Sequence, residues 1–168
     1  MAENSSGDAE KLADLSQALG RAASEAGVMV TVAESCTGGW LAKVITDTPG
    51  SSHWFERGFV TYTNAAKQDM LGVSPDTLEQ TGAVSEATVR QMAAGALRHS
   101  EAQLAVAVSG VAGPGGGTEA KPVGTVCFAW HRSNQEPRAE TLHLPGDRDA
   151  VRRQAVERAL YGLLAALG

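Results

Sequence analysis

The segment Val28-Met29-Val30-Thr31-Val32-Ala33-Glu34-Ser35-Cys36-Thr37-Gly38-Gly39-Trp40-Leu41-Ala42-Lys43-Val44-Ile45 carries three local patterns in succession. The apolar run Val28 to Ala33 predicts a buried strand, and the small and polar residues that follow predict a tight turn. Trp40, Leu41, Val44 and Ile45 then fall on one face of a helix that stops before Pro49-Gly50. A strand that passes through a turn directly into a helix is the building unit of an α/β sheet. At such a junction the turn lies at the carboxyl end of the strand and the first helical amides are unpaired. A hydroxyl placed there has anion-stabilising donors beside it.

The same reading extends in both directions. Leu12, Leu15, Leu19, Ala22 and Ala23 recur at helical spacing, so 8–26 is expected to form an amphipathic helix ended by Gly27, after a disordered tail over 1–7. Residues Arg57 to Thr63 alternate and are rich in β-branched and aromatic side chains, which predicts a strand. Asn64 is expected to cap a short helix closed by Gly72, Ser74-Pro75 to open another, and Ser85 to cap a longer one bearing Val89, Met92, Ala93, Ala96 and Leu97. The continuous apolar run Leu104 to Ser109 predicts a strand buried on both faces. Val123 to His131 and Ala139 to Leu144 predict an antiparallel hairpin, and Asp147 a cap on a last helix with Val151, Ala155, Ala159, Leu160 and Leu163 inward. The expected fold is a single domain over 8–168, a three-layer α/β/α sandwich with a mixed, mostly parallel sheet. In such sheets ligands bind beyond the carboxyl ends of the strands. Here that means the Ser35 turn, the Tyr62 to Lys67 segment and the glycine-rich loop Gly110 to Thr118.

With 168 residues the chain can bury one real core but not two of ordinary size. A formal charge of −5 argues against sequence-independent nucleic-acid binding, which needs dense Lys and Arg. No apolar stretch has the length of a membrane span and the first residues lack the apolar core of a signal peptide, so a cytoplasmic protein without membrane contact is expected. Cys36 and Cys127 form neither a disulfide framework nor a zinc motif, and the four histidines lack ligand spacing; no metal is expected.

Each candidate residue has two readings. Ser35 is a helix cap or a nucleophile; Gly38 and Gly39, which allow close approach of a substrate, favour the second. Lys67 is a solvated charge or, if burial lowers its pKa, a general base. Tyr62 is half-buried packing or a proton relay. Cys36 is a small structural residue or a rival nucleophile activated by the helix end. The loop after Ser109 is not a Walker motif; it is a flexible, unliganded surface loop, or its glycines aim amides at a phosphate, with Thr118 and Lys121 as further donors. Arg148 lies in the first turn of its helix, where a cation is unfavourable, which suits a guanidinium kept there to bind phosphate or carboxylate or to pair with an acidic residue across a subunit boundary.

Together Thr31-Val32-Ala33-Glu34-Ser35-Cys36-Thr37-Gly38-Gly39, Gly50-Ser51-Ser52, Thr61-Tyr62-Thr63-Asn64, Lys67, Gly82-Ala83-Val84-Ser85, Ser109-Gly110-Val111-Ala112-Gly113-Pro114, Lys121-Pro122-Val123-Gly124-Thr125 and Gly146-Asp147-Arg148 occur in the order found in one family. The chain resembles the CinA C-terminal domain family, the bacterial nicotinamide-nucleotide amidohydrolases, over nearly its whole length. The resemblance implies hydrolysis of nicotinamide mononucleotide to nicotinate mononucleotide and ammonia, in pyridine-nucleotide salvage, with neither metal nor cofactor. It assigns the family's serine, lysine and tyrosine to Ser35, Lys67 and Tyr62. Substrate contacts are then expected from Cys36, Thr37, Gly38 and Gly39, with an oxyanion site at Thr37 to Gly39, and from Ser109, Gly110, Gly113, Lys121 and Arg148. The N-terminal partner domain of some relatives is not in this sequence, and any activity it contributes is expected to be missing. The competing expectation is a non-catalytic module that binds a nucleotide or a protein. An exposed surface at Trp40 and His53-Trp54-Phe55 is expected to support a homodimer or a higher homo-oligomer.

Overall fold

The computed structural model describes residues 2–168, with side chains from Ser5 onward. Six helices and five strands follow in the order α1 (Ala2–Ala26), β1 (Val30–Glu34), α2 (Trp40–Thr46), β2 (Phe55–Val60), α3 (Asn64–Leu71), α4 (Pro75–Thr81), α5 (Glu86–Arg98), β3 (Leu104–Gly110), β4 (Thr125–Arg132), β5 (Arg138–His143) and α6 (Arg148–Leu167). A single turn of 3-10 helix, Ser51–His53, precedes β2. The sheet order is β2-β1-β3-β4-β5. β1 pairs in parallel with both β2 and β3, and β4 is antiparallel to β3 and to β5, which makes the sheet mixed as expected.

The strands bury two different faces. Val30 and Val32 of β1, Leu104, Val106 and Val108 of β3, and Val126, Phe128 and Trp130 of β4 pack under α1, α2 and α6. On the other face the strands present Ala33, Ala105, Ala107, Cys127 and Ala129 to α3, α4 and α5. The side-chain period of two sends large residues to one layer and small ones to the other. The small-residue face lets α5 sit close to the sheet, and with it α3, the helix that carries Lys67.

Three expectations are corrected. α1 starts at Ala2, so residues 2–7 prolong the helix rather than form a tail; Met1 lies outside the described residues. Asp8, read as the helix start, is instead inside it and pairs with Arg153 of α6 at 3.3 Å, a tertiary contact that local pattern does not reveal. Trp54 is buried, not exposed, because its indole lies over Gly20 of α1, where a Cβ would come within 2.7 Å of Nε1. Thr63 rather than Asn64 caps α3, accepting from the Ala66 amide at 3.1 Å. No helix among the described residues is long and apolar enough to cross a membrane.

Candidate active site

Ser35 is the first residue after β1, and its amide still donates to Val108 O of β3 at 3.0 Å. The turn then closes with Gly38 N donating to Ser35 O at 3.1 Å. Gly38 and Gly39 both have left-handed backbone, φ 58° and 98°, which a side chain would strain. At Gly38 there is a second reason: Arg152 Nη2 lies 3.2 Å from where a Cβ would stand.

α2 has no side-chain cap at Gly39. Glu34, fully buried, caps it from five residues upstream. Its Oε1 accepts from Thr37 Oγ1 (2.6 Å), Gly39 N (3.2 Å) and Leu41 N (3.0 Å), and its Oε2 accepts from Ala42 N (3.0 Å). The helix end is therefore already occupied by an internal anion. This corrects the expected oxyanion site at Thr37 to Gly39: the Gly38 and Gly39 amides are taken. Those of Cys36 and Thr37, directly after the serine, donate to no oxygen among the described residues, the Cys36 amide lying against its own thiol.

Across the crevice, Thr61 N donates to Glu34 O at 2.8 Å, which extends the β1/β2 pairing and brings the start of α3 against the Ser35 turn. Lys67 is 1% exposed. Its Nζ lies 2.9 Å from Ser35 Oγ, 2.8 Å from Thr61 O and 3.2 Å from Tyr62 O. No carboxylate is among these neighbours, and burial pushes the amine below the usual lysine range. An ammonium would donate all three bonds. A neutral amine keeps two N–H groups for the two carbonyls and turns its lone pair toward the serine hydroxyl, so the same geometry serves a base.

A cleft of about 290 Å³ opens over this pair. Of the residues expected to form a site it gathers Ser35, Cys36, Tyr62, Lys67, Ser109, Gly110, Gly113 and Arg148. Thr37, Gly38, Gly39 and Lys121 do not line it. Thr37 turns its hydroxyl to Glu34, and Lys121 instead donates to Thr81 O at 2.5 Å at the end of α4. Tyr62 contributes its carbonyl to Lys67, while its exposed phenol accepts from Arg148 Nη2 at 3.3 Å. Arg148 Nη1 also donates to Gly113 O at 2.7 Å, so the guanidinium spans the mouth from Tyr62 to the glycine loop. Burial pushes the Cys36 thiol up to about 12, which removes the thiolate that a cysteine nucleophile requires. No carboxylate lines the cleft among the described residues, so an acidic protein presents here two basic side chains, Lys67 and Arg148, with no acid between them. An apolar groove of about 330 Å³ between α1, α2 and α6 contains neither Ser35 nor Lys67.

Sequence reasoning passed over Glu34 and Arg152 as site residues. The signal for Glu34 was an acid inside an apolar strand. For Arg152 it was the four-residue spacing from Arg148, which puts both on one side of α6. Arg152 Nε donates to Cys36 O at 3.0 Å, its Nη2 donates to Thr37 O at 3.2 Å, and the guanidinium lies over the Trp40 ring at 5.6 Å.

The family model of the CinA C-terminal domain matches residues 12–167. The nicotinamide-nucleotide amidohydrolase PncC of Escherichia coli K12 is 57% identical over 153 residues, covering 91% of this chain and 93% of its own. That of Enterobacter agglomerans is 52% identical over 158 residues, 94% of either chain. The crystal structure of the competence/damage inducible protein CihA from Agrobacterium tumefaciens superposes with a TM-score of 0.90 at 46% identity, over 92% of this chain and 94% of that one.

Proposed function

This chain belongs to the CinA C-terminal domain family, and from that premise we propose that it is an amidohydrolase that converts nicotinamide mononucleotide to nicotinate mononucleotide and ammonia by a serine–lysine mechanism. The observation that carries the mechanism is the 2.9 Å contact between Lys67 Nζ and Ser35 Oγ, with backbone carbonyls as the amine's other partners.

In this reading, neutral Lys67 takes the Ser35 proton as Oγ bonds to the carboxamide carbon, and the charge that develops on the amide oxygen is received by the Cys36 and Thr37 amides. The ammonium of Lys67 then returns the proton to the departing nitrogen as the C–N bond breaks, which releases ammonia and leaves a nicotinoyl ester on Ser35. Water adds to the ester, its proton passes to Lys67 and on to Oγ, and nicotinate mononucleotide departs. The pyridinium charge of the substrate makes its carboxamide more electrophilic and disfavours protonation of Lys67 by like-charge repulsion. Arg148 is the group suited to the substrate phosphate. It is an exposed guanidinium at the cleft mouth and makes no ion pair at 4 Å or less among the described residues. Its contact with the Tyr62 phenol gives that ring a place at the substrate rather than on Ser35.

Ammonia release from nicotinamide mononucleotide by the pure protein and by Ser35→Ala tests the reading. The expected result is turnover by the wild type and near-complete loss in a variant that unfolds at the same denaturant concentration. A folded wild type that releases no ammonia would leave a binding module in place of an enzyme.

A further inference from the structure

We propose that Arg152 is a positioning residue of this site: its guanidinium fixes the Cys36–Thr37 peptide so that the Thr37 amide, beside that of Cys36, faces the anion formed at Ser35. The inference rests on the serine–lysine reading above and adds to it a residue on α6, the last helix of the chain.

The peptide planes of the turn set where its amides point. In a trans peptide the C=O and the N–H point in opposite directions, so holding one end aims the other. Ser35 O is held by Gly38 N at 3.1 Å, which directs the Cys36 N–H to the opposite side. Cys36 O is held by Arg152 Nε at 3.0 Å, which directs the Thr37 N–H away from α6. Thr37 O is held by Trp40 N at 3.0 Å and by Arg152 Nη2 at 3.2 Å, and that peptide supplies the Gly38 N–H that closes the turn, so the Cys36 carbonyl is the one that depends on Arg152 alone. The amides of Ser35, Gly38, Gly39, Trp40, Leu41 and Ala42 all donate to oxygens, and the two that donate to none are those that follow the nucleophile.

Arg152 is suited to this task and to little else that is visible. It makes no ion pair at 4 Å or less among the described residues, so its charge acts on the two carbonyls. Trp40 supports it at 5.6 Å. A charged donor on a carbonyl also polarises the peptide and strengthens its N–H as a donor. Gly38 leaves the room that this approach needs, since a Cβ there would stand 3.2 Å from Nη2.

The test compares wild type with Arg152→Ala, Arg152→Gln and Arg152→Lys in two assays, hydrolysis of nicotinamide mononucleotide and the rate at which a fluorophosphonate labels Ser35. In the labelling step Oγ bonds to phosphorus, the P–F bond breaks, fluoride leaves and the proton goes to Lys67, so the phosphoryl oxygen calls on the same amides without the nucleotide. Loss of one well-aimed oxyanion donor predicts kcat lower by about 10²-fold in Arg152→Ala, with KM within about threefold of wild type. Labelling should slow in parallel. Arg152→Lys should not restore the rate, because a single ammonium lacks the planar fork that spans two carbonyls. Millimolar guanidinium should recover part of the lost kcat in Arg152→Ala, an effect that general loosening of the turn would not show. If Arg152→Ala fails to fold, Arg152→Gln is judged by the same criteria. A folded variant with kcat and labelling within about threefold of wild type, or with the loss confined to KM, overturns the proposal. Labelling that depends on Arg152 in a protein inert toward the nucleotide would sink the substrate reading and leave this one standing. No labelling of the wild type would sink both.

Discussion

Replacing Lys67 with Met nearly keeps the volume of the side chain, puts sulfur in place of Cδ and removes Nζ together with its contacts at 2.9, 2.8 and 3.2 Å. Two consequences have opposite signs. For catalysis, a positioned general base contributes about 10²–10⁴-fold, and the members of a catalytic pair fail together rather than additively, so kcat should fall by about 10³-fold or more with little change in KM. For stability, the carbonyls of Thr61 and Tyr62 each lose a donor, at about 1–3 kcal/mol for a group left buried and unpaired. Against this, the variant no longer buries an ionisable amine. Because burial lowers the Lys67 pKa in the folded state, the unfolded chain binds more protons between that lowered value and about 10.4, and wild-type stability rises with pH across this window. The cost of holding Lys67 inside is absent above the unfolded pKa, grows as pH falls, and is constant below the folded one. Wild type and Lys67→Met should therefore differ in urea midpoint by an amount that shifts in favour of the variant as pH is lowered from 11 to 7. Wild-type kcat/KM should rise with pH as the amine deprotonates. Ammonia release at pH 6 to 10 and urea unfolding at pH 7 to 11 give both readings. Activity of Lys67→Met within about tenfold of wild type, or wild-type kcat/KM that falls as pH rises, would refute the assignment of Lys67 as base.

Glu34→Gln keeps the shape of the α2 cap but removes its charge and turns one acceptor into a donor that faces backbone amides; unfolding midpoints should report a loss of about 1.5–3 kcal/mol. Cys36→Ala should retain activity, and wild-type Cys36 should resist iodoacetamide at pH 8, since its thiol is buried and pushed up to about 12; inactivation that tracks alkylation of Cys36 would contradict this. Gly95→Ala places a Cβ 1.9 Å from Leu71 O, backbone that cannot swing aside, so α3 must move from α5. A stability loss of about 1–3 kcal/mol or more should come with a fall in kcat, because α3 carries Lys67. A variant as stable and as active as wild type would show that α3 tolerates the shift.

Local patterns were sufficient for most elements because each lies within a short window: the strand and turn that end in Ser35, the Ser85 cap of α5, the hairpin of β4 and β5. What local patterns do not hold is register. The site exists because β1 and β2 are parallel neighbours, with Glu34 opposite Val60, and one further bond, Thr61 N to Glu34 O, carries the chain toward Lys67. Ser35 and Lys67 are 32 residues apart, and Arg152 reaches the turn from 116 residues away. Trp54 misled for a related reason. An indole beside His53 and Phe55 reads as an exposed aromatic patch, and only the hollow at Gly20 of α1 explains its burial. The Gly38 and Gly39 amides were read as free because a helix N-terminus was assumed to be open, whereas Ser35 O and Glu34 already hold them.

That last point bears on the proposed role of Lys67 as a base. Glu34 and Lys67 are the two acidic or basic side chains fully buried among the described residues, and they flank the same serine. Facing each other, they would pair, and the carboxylate would hold the amine in its charged form. They do not. The strand's alternation sends Glu34 and Ser35 to opposite sides, and four donors from the Thr37 hydroxyl and α2 satisfy the carboxylate completely. Lys67 is left with uncharged oxygen neighbours only, so burial acts on it unopposed by any nearby carboxylate. The glutamate thus serves the site by what it is kept from doing: it anchors the turn that presents Ser35, and its charge is spent on helix amides rather than on the amine across the cleft.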